Sequence, residues 1–201
     1  QFPILARQVH GRPLVYLDNA ASAQKPEAVI EAMANAMRWS YANVHRGLHA
    51  LANETTQAYE DARSAVARFI NAPAAENIVF TKSGTQAINI VAAGLDIRAG
   101  DEIALSVMEH HSNIVPWHFL RERKGAVLKW LDIDDDGGVH LDALDALITS
   151  RTKIVALTHM SNVLGARTPA ADVVRIAHAK GVPVLLDGCQ AVVHGRVDTV
   201  A

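Results

Sequence analysis

The chain has 201 residues, of which 19 are basic and 21 acidic, so its formal net charge is −2 with neutral histidines. Half of the residues are hydrophobic. This composition excludes a disordered protein, and it lacks the basic excess of a nucleic-acid-binding domain. The single cysteine, Cys189, excludes a disulfide scaffold and favours a reducing cytoplasm. No apolar run approaches the roughly 20 residues of a membrane-spanning helix. We expect a cytoplasmic protein, and a chain of this length can bury a substantial core.

The first part of the chain predicts one short strand and two amphipathic helices. The strand covers residues 14–17 and ends at Asp18. The first helix runs from residue 26 to about 39, with Pro26 in its first turn, and the second covers residues 54–70. We treat residues 1–15 as an N-terminal extension and residues 16–201 as a larger domain.

From residue 78 onward, strands alternate with helices. Strands are predicted over 78–80, 102–106, 127–131, 153–158 and 182–186. The helices between them cover 85 to about 95, 113–123, 142–148 and 169–180. This alternation predicts an α/β fold, with a mostly parallel sheet and helices on both faces.

Polar residues follow the predicted strands, where parallel sheets of this kind bind their ligands. They are Asn19, Ser83-Gly84-Thr85, Glu109-His110, Asn162 and the segment 187–190. We expect these strand ends to converge on one crevice.

Ser83-Gly84-Thr85 lies between a predicted strand and a predicted helix. The helix N-terminus offers unpaired N–H groups and the positive end of the helix dipole, which suit a phosphate. The alternative is an ordinary N-cap, since Ser and Thr favour that position. The segment is neither a Walker loop nor a dinucleotide fingerprint.

Asp187 ends an apolar strand, and Gln190 follows three residues later. Asp187 is either a helix cap or the partner of a cation such as a protonated pyridine nitrogen. Gln190 would then bind a neighbouring substituent of the ring.

The histidines and the cysteine give weaker signals. Adjacent His110 and His111 make a poor metal pair, and the sequence contains no metal-binding motif. His110 is either a structural histidine or an imidazole lying over a flat cofactor ring. Cys189 has no basic neighbour in the sequence, so we interpret it as a packing residue and not as a nucleophile.

Taken together, six segments resemble one family, the pyridoxal-phosphate-dependent cysteine desulfurases of the sulfur-mobilisation branch, within the class V aminotransferases. The resemblance extends from Tyr16 to the last residue. It rests on Tyr-Leu-Asp-Asn-Ala-Ala-Ser (16–22), Asn-Val-His-Arg-Gly-Leu-His (43–49), Thr-Lys-Ser-Gly-Thr-Gln-Ala-Ile-Asn (81–89), Glu-His-His-Ser-Asn-Ile-Val-Pro-Trp (109–117), Ser-Asn-Val-Leu-Gly (161–165) and Asp-Gly-Cys-Gln-Ala-Val (187–192).

The resemblance implies an aminotransferase-type large domain and a role for each matching residue. Gly84 and Thr85 would bind the cofactor phosphate, and His110 would stack on the ring and act in catalysis. Asp187 would bond to the ring nitrogen, and Asn162 and Gln190 would contact the ring oxygen or the substrate. The substrate side would be formed by Ala20, Ala21, His45 and Arg46. Relatives often have threonine at position 84, glutamate at 86 and alanine at 189, so Gly84, Gln86 and Cys189 depart from the pattern.

The family attaches its cofactor through a lysine, which in relatives follows a Ser/Thr-Gly-His segment beyond the Asp-Gly-x-Gln segment. None of the six lysines here matches that position: Lys25, Lys82, Lys124, Lys129, Lys153 and Lys180. We therefore expect the chain to be the first part of a longer enzyme. The lysine, the persulfide-forming cysteine and a small C-terminal domain would lie further on, and the 201 residues alone would be inactive.

The implied reaction converts L-cysteine to L-alanine and an enzyme persulfide for iron–sulfur cluster assembly. The resemblance also implies a homodimer and a sulfur-acceptor protein as transient partner. Two alternatives remain at this point. One is a selenocysteine lyase or another class V enzyme, and the other is a non-catalytic interaction protein that keeps the fold.

Overall fold

A computed structural model of the chain describes residues 1–200. Contacts divide these residues into two compact units, which join between Ile78 and Val79. The predicted boundary at residue 16 stays a prediction.

The first unit is mainly helical. A 3₁₀ turn, Pro3–Ala6, precedes a small antiparallel pair formed by β1 (Gln8–Val9) and β2 (Arg12–Pro13). Helix α1 (Glu27–Asn35) continues into a π-helical turn, Ala36–Ser40, and α2 covers Ala50–Phe69 before a second 3₁₀ turn, Ala75–Asn77. Both predicted helices are confirmed, although α2 begins earlier than expected. Pro26 is the N-cap of α1 and not a residue of its first turn.

Two predicted strands do not form. Residues 14–17 and 78–80 have no regular structure, and Val15, Leu17 and Val79 are 76%, 91% and 75% exposed. Their apolar character resembles that of a strand. However, a strand also needs a neighbouring backbone to complete its hydrogen bonds. Neither segment belongs to a sheet of the described residues, and the backbone of residues 14–17 makes only the bond from the Leu14 N–H to Arg7 O at 3.0 Å beside the β1–β2 pair.

The second unit contains a four-stranded parallel sheet. Its strands are β3 (Glu102–Ser106), β4 (Val127–Leu131), β5 (Thr152–Thr158) and β6 (Val184–Asp187), in the order β4-β3-β5-β6. The helices are α3 (Gly84–Gly94), α4 (Val115–Lys124), α5 (Leu141–Leu147), α6 (Ala170–Ala179) and the short α7 (Ala191–His194). The predicted α/β fold with a parallel sheet is confirmed.

The sheet has a hydrophobic core on each face, because alternate residues of a strand point to opposite sides. On one face, Ile103 and Leu105 of β3 belong to a cluster with residues of α3 and α4. On the other, Val155 and Leu157 of β5 belong to a cluster with residues of α5 and α6. Helices therefore cover both faces, as the sequence predicts.

None of the helices in residues 1–200 combines the length and the apolar character needed to cross a membrane.

Candidate active site

Three of the predicted strand ends lie at one edge of the sheet. Strands β3, β5 and β6 are parallel neighbours, so their carboxyl ends point the same way. Glu109 and His110 follow β3, Asn162 follows β5, and Asp187 is the last residue of β6, paired in register with Thr158. Asn19, in contrast, follows no strand and lies in the first unit.

The turn before α3 presents backbone donors. Ser83 is the N-cap, and its Oγ accepts a hydrogen bond from the N–H of Gln86 at 3.2 Å. Gln86 in turn accepts from the N–H of Lys82 at 2.7 Å. Within the described residues no acceptor is recorded for the N–H groups of Gly84 and Thr85. The capping interpretation is therefore correct for Ser83, while the next two N–H groups remain available for an anion.

This turn touches the segment that follows β6. A Cβ atom built on Gly84 would lie 2.8 Å from the Sγ of Cys189. Gly84 stands at the start of α3, and Cys189 stands two residues after Asp187. The phosphate-type turn and the Asp187 carboxylate therefore belong to one neighbourhood, although no strand precedes the turn.

Asp187 is a nearly buried residue, only 8% exposed. Its Oδ1 accepts the N–H of Cys189 at 3.1 Å. It does not cap a helix, because Gln190 is the N-cap residue of α7. No basic side chain forms an ion pair with Asp187 in the described part of the chain. A cation would therefore find an unneutralised carboxylate here.

A buried network that the sequence analysis missed lies behind His110. The carboxylate of Glu109 accepts from the Ser106 hydroxyl at 2.5 Å and from the Asn113 amide at 2.7 Å. Asn113 also accepts from the indole N–H of Trp117 at 3.0 Å. Burial raises the pKa of Glu109, and the charge of Asp187 adds to this shift. The four-residue spacing of Glu109, Asn113 and Trp117 was the signal that could have revealed this network.

His110 is an exposed ring on a turn that its neighbours hold in place. The ring Nδ1 accepts from the N–H of Ser112 at 3.1 Å and lies 2.7 Å from the Ser112 hydroxyl oxygen. Because a backbone N–H can only donate, Nδ1 is unprotonated, and Nε2 carries the proton of the neutral ring. The rings of His110 and His111 are 6.0 Å apart and tilted by 54°. No group of three or more metal-ligating side chains occurs among residues 1–200.

The two amides predicted to contact the ring lie on adjoining segments. Asn162 is exposed on a loop whose Ser161 Oγ accepts from the N–H groups of Val163 and Leu164. Gln190 is half-buried at the start of α7. Both therefore follow strands at the same edge of the sheet as Asp187.

The substrate-side candidates lie in the first unit. His45 has a φ of 64°, and its ring contacts Glu60 at 2.7 Å, while its N–H donates to Thr56 at 2.9 Å. Arg46 is exposed beside it. Ala20 and Ala21 lie in an exposed turn after the extended segment. Their predicted roles stay predictions.

Comparison with known proteins decides the family. The family model described as Aminotransferase class-V matches residues 15–201. The chain belongs to this family. It is 51% identical over 203 aligned residues to a cysteine desulfurase of Cronobacter sakazakii, and the match covers all of this chain and 50% of that protein. The chain thus spans about half the length of the curated relatives it matches.

Solved structures of this family agree with the sequence match. A cysteine desulfurase of Escherichia coli, CsdA, is similar with a TM-score of 0.81 at 43% identity, over 91% of this chain and 47% of that one. An apo cysteine desulfurase of Thermococcus onnurineus has a TM-score of 0.81 at 37% identity, over 86% of this chain and 43% of that one. The resemblance found in the sequence is confirmed, while the roles of individual site residues remain predictions.

Proposed function

We propose that the complete protein binds pyridoxal 5′-phosphate and is a cysteine desulfurase. It would convert L-cysteine to L-alanine and leave the sulfur on the enzyme as a persulfide. An acceptor protein would then take this sulfur for iron–sulfur cluster assembly. The family and relatives of about 50% identity that are named cysteine desulfurases support this proposal.

The observation that carries the proposal is that a turn suited to an anion and a carboxylate suited to a cation lie close together. The open N–H groups of Gly84 and Thr85, at the positive end of α3, suit the cofactor phosphate. The buried carboxylate of Asp187, with no basic partner among the described residues, suits a protonated ring nitrogen. The contact between Gly84 and Cys189 brings the two segments together. The residues present therefore fit the cofactor.

When bound, the cofactor supplies an electron sink for the charge that develops at the α-carbon of the amino acid. Asp187 holds the ring nitrogen protonated, which keeps that sink effective. His110 would stack on the ring, and the hydrogen bond from the Ser112 N–H to its Nδ1 would hold the imidazole in place. Asn162 and Gln190 orient the ring oxygen and the substrate.

The remaining parts of the proposal concern the complete protein. We infer a cytoplasmic homodimer in which Ala20, Ala21, His45 and Arg46 belong to the substrate side. For the 201 residues alone we predict no turnover. The lysine that attaches the cofactor covalently has no candidate here, and two of the six lysines, Lys153 and Lys180, form ion pairs with Asp101 and Asp145.

The test uses the complete protein, purified and loaded with pyridoxal phosphate. We expect a cofactor absorbance band, and release of sulfide and alanine in equal amounts from L-cysteine in the presence of a reductant. The 201-residue chain, measured in parallel, should release none. A higher kcat/KM for L-selenocysteine would replace the proposal by a selenocysteine lyase, and failure to bind cofactor would favour a non-catalytic protein.

A further inference from the structure

Cys189 contacts both the turn at Gly84 and Asp187, the two parts of the predicted cofactor site. Its Sγ lies against Gly84 in the turn before α3, so close that a Cβ on Gly84 would be 2.8 Å away. Its N–H donates to Asp187 Oδ1 at 3.1 Å, and the Asp187 side chain contributes to a raised pKa of the Cys189 thiol. One residue therefore contacts the turn with the open N–H groups and the buried carboxylate.

We propose that Cys189 is a positioning residue: its sulfur fills the space above Gly84, and its thiol donates to Asp187, which fixes the spacing between the phosphate turn and the carboxylate. That the spaced ligand is pyridoxal phosphate rests on the proposed function. The coupling of Gly84, Cys189 and Asp187 does not depend on it.

The sulfur restricts which side chains fit at position 84. Gly84 is the first residue of a right-handed helix, and its φ is not positive, so its backbone conformation is open to any residue. A Cβ at 2.8 Å from a sulfur is nearer than packed atoms tolerate, so one of the two must shift. A side chain at position 84 therefore requires the Cys189 thiol to move from its present position.

The thiol acts as a donor because it keeps its proton. Partial burial raises the pKa of the Cys189 thiol to about 11, and Asp187 contributes to the rise, although the residue stays accessible to solvent. Only about one thiol in 10⁴ is ionised at neutral pH with such a pKa. This disfavours a nucleophile and leaves a protonated S–H group close to the carboxylate.

A double-mutant cycle on the complete protein tests the packing half of the proposal. Gly84→Ala is expected to weaken pyridoxal phosphate binding about tenfold and to lower the melting temperature of the apoprotein. Cys189→Ala alone is expected to change the dissociation constant by about threefold or less. The double variant should return to the level of Cys189→Ala in both measurements.

Additive effects of the two changes would overturn the proposal. The apoprotein melting temperature keeps this outcome separate from the proposed function. If no protein binds the cofactor but the melting temperatures still show rescue, the function fails while the Gly84–Cys189 coupling stands.

The rate of Cys189 alkylation between pH 7 and 10 tests the hydrogen-bonding half. Cys189 is exposed, so the reagent can reach it, and peptide mass spectrometry separates it from other cysteines. Asp187→Asn removes the charge that the thiol faces, so it should lower the thiol pKa and raise the rate severalfold at pH 8. Glu102→Gln, at the far end of β3, should leave the rate unchanged.

If the pH profile of Cys189 alkylation is the same in Asp187→Asn as in the wild type, the proposed hydrogen bond from the Cys189 thiol to Asp187 is wrong. Cys189→Ser keeps a donor and should preserve cofactor affinity better than Cys189→Val, which fills the space without donating. Equal affinities of the serine and valine variants would show that packing alone matters, and this too would contradict the proposal.

Discussion

Strand β3 has a buried glutamate near each end, and the surroundings shift the pKa values of the two in opposite directions. At the amino end, Glu102 accepts from the Thr149 hydroxyl at 2.6 Å and pairs with Arg151 at 2.7 Å. The Thr149 hydrogen bond and the Arg151 charge lower its pKa against the opposing effect of burial. Beyond the carboxyl end, Glu109 accepts only neutral donors from side chains, and burial raises its pKa.

The difference indicates which end of the sheet is built for a ligand. At the amino end the chain neutralises its own charge, which is the arrangement expected of a structural ion pair. At the carboxyl end Glu109 and Asp187 are close enough for their charges to interact, and no basic side chain in residues 1–200 pairs with either. Uncompensated buried charge is costly, and it accumulates where a cationic group is expected to bind.

The largest expected effect is that of Asp187→Asn in the complete protein. Loss of one preorganised group that stabilises charge developing in the transition state typically lowers kcat by a factor of about 10² to 10³, and we expect an effect of that order here. Asparagine keeps the size of the side chain, so the fold should remain. The measurement is the rate of alanine formation with L-cysteine. Glu102→Gln serves as the matched control at the other end of the sheet, and it should stay within about threefold of the wild type. Equal losses in both variants would contradict the comparison.

The second effect is on stability at the amino end. Glu102→Gln should lower the free energy of unfolding at pH 7 by about 1 to 3 kcal/mol, since hydrogen bonds to a charged group are lost. The folded-state pKa of Glu102 is depressed, so its contribution is present above the unfolded value of 4.5 and disappears as pH falls through the folded value. Urea denaturation at several pH values should therefore show a difference that shrinks in acid. A difference that stays constant down to low pH would contradict this assignment.

Glu109→Gln should show the reverse pH dependence, with a smaller amplitude of about 1 kcal/mol. The folded-state pKa of Glu109 is raised, so its contribution is complete below the unfolded value of 4.5 and is lost as pH rises through the folded value. The stability of the variant relative to the wild type should therefore improve from acid to neutral pH. Parallel denaturation curves for Glu102→Gln and Glu109→Gln would show that the two ends of β3 do not differ.

The sequence predicts elements whose signal is local and misses those that depend on distant partners. The period of α2 and the short apolar runs of β3 and β5 each lie within one segment, and these elements form near the expected positions. Residues 78–80 carry the same apolar signal, yet no described segment pairs with them. The four-residue α7 is too short to show a helical period.

The same distinction applies to the site. Residues at or just beyond strand ends, such as His110, Asn162 and Asp187, are found from sequence because strand direction alone places them at one edge. The contact of Gly84 with Cys189 joins two segments that are distant in the sequence, so neither segment predicts it. Glu109 was named only as a strand-end residue, because its burial depends on Ser106, Asn113 and Thr158 closing around it.

The smallest expected effect concerns how His110 is held. Ser112→Ala removes the hydroxyl 2.7 Å from Nδ1 but keeps the backbone N–H that bonds the same nitrogen. One neutral hydrogen bond is worth about 1 kcal/mol, and half of the arrangement survives, so cofactor affinity should fall by only about twofold to fourfold. Thr149→Ala removes a hydroxyl of similar kind from Glu102. It should lower the unfolding free energy and leave the dissociation constant of the cofactor unchanged. If the threonine variant weakens the cofactor as much as the serine variant, the two ends of β3 are coupled through stability, and the separation of a structural end from a ligand-binding end is wrong.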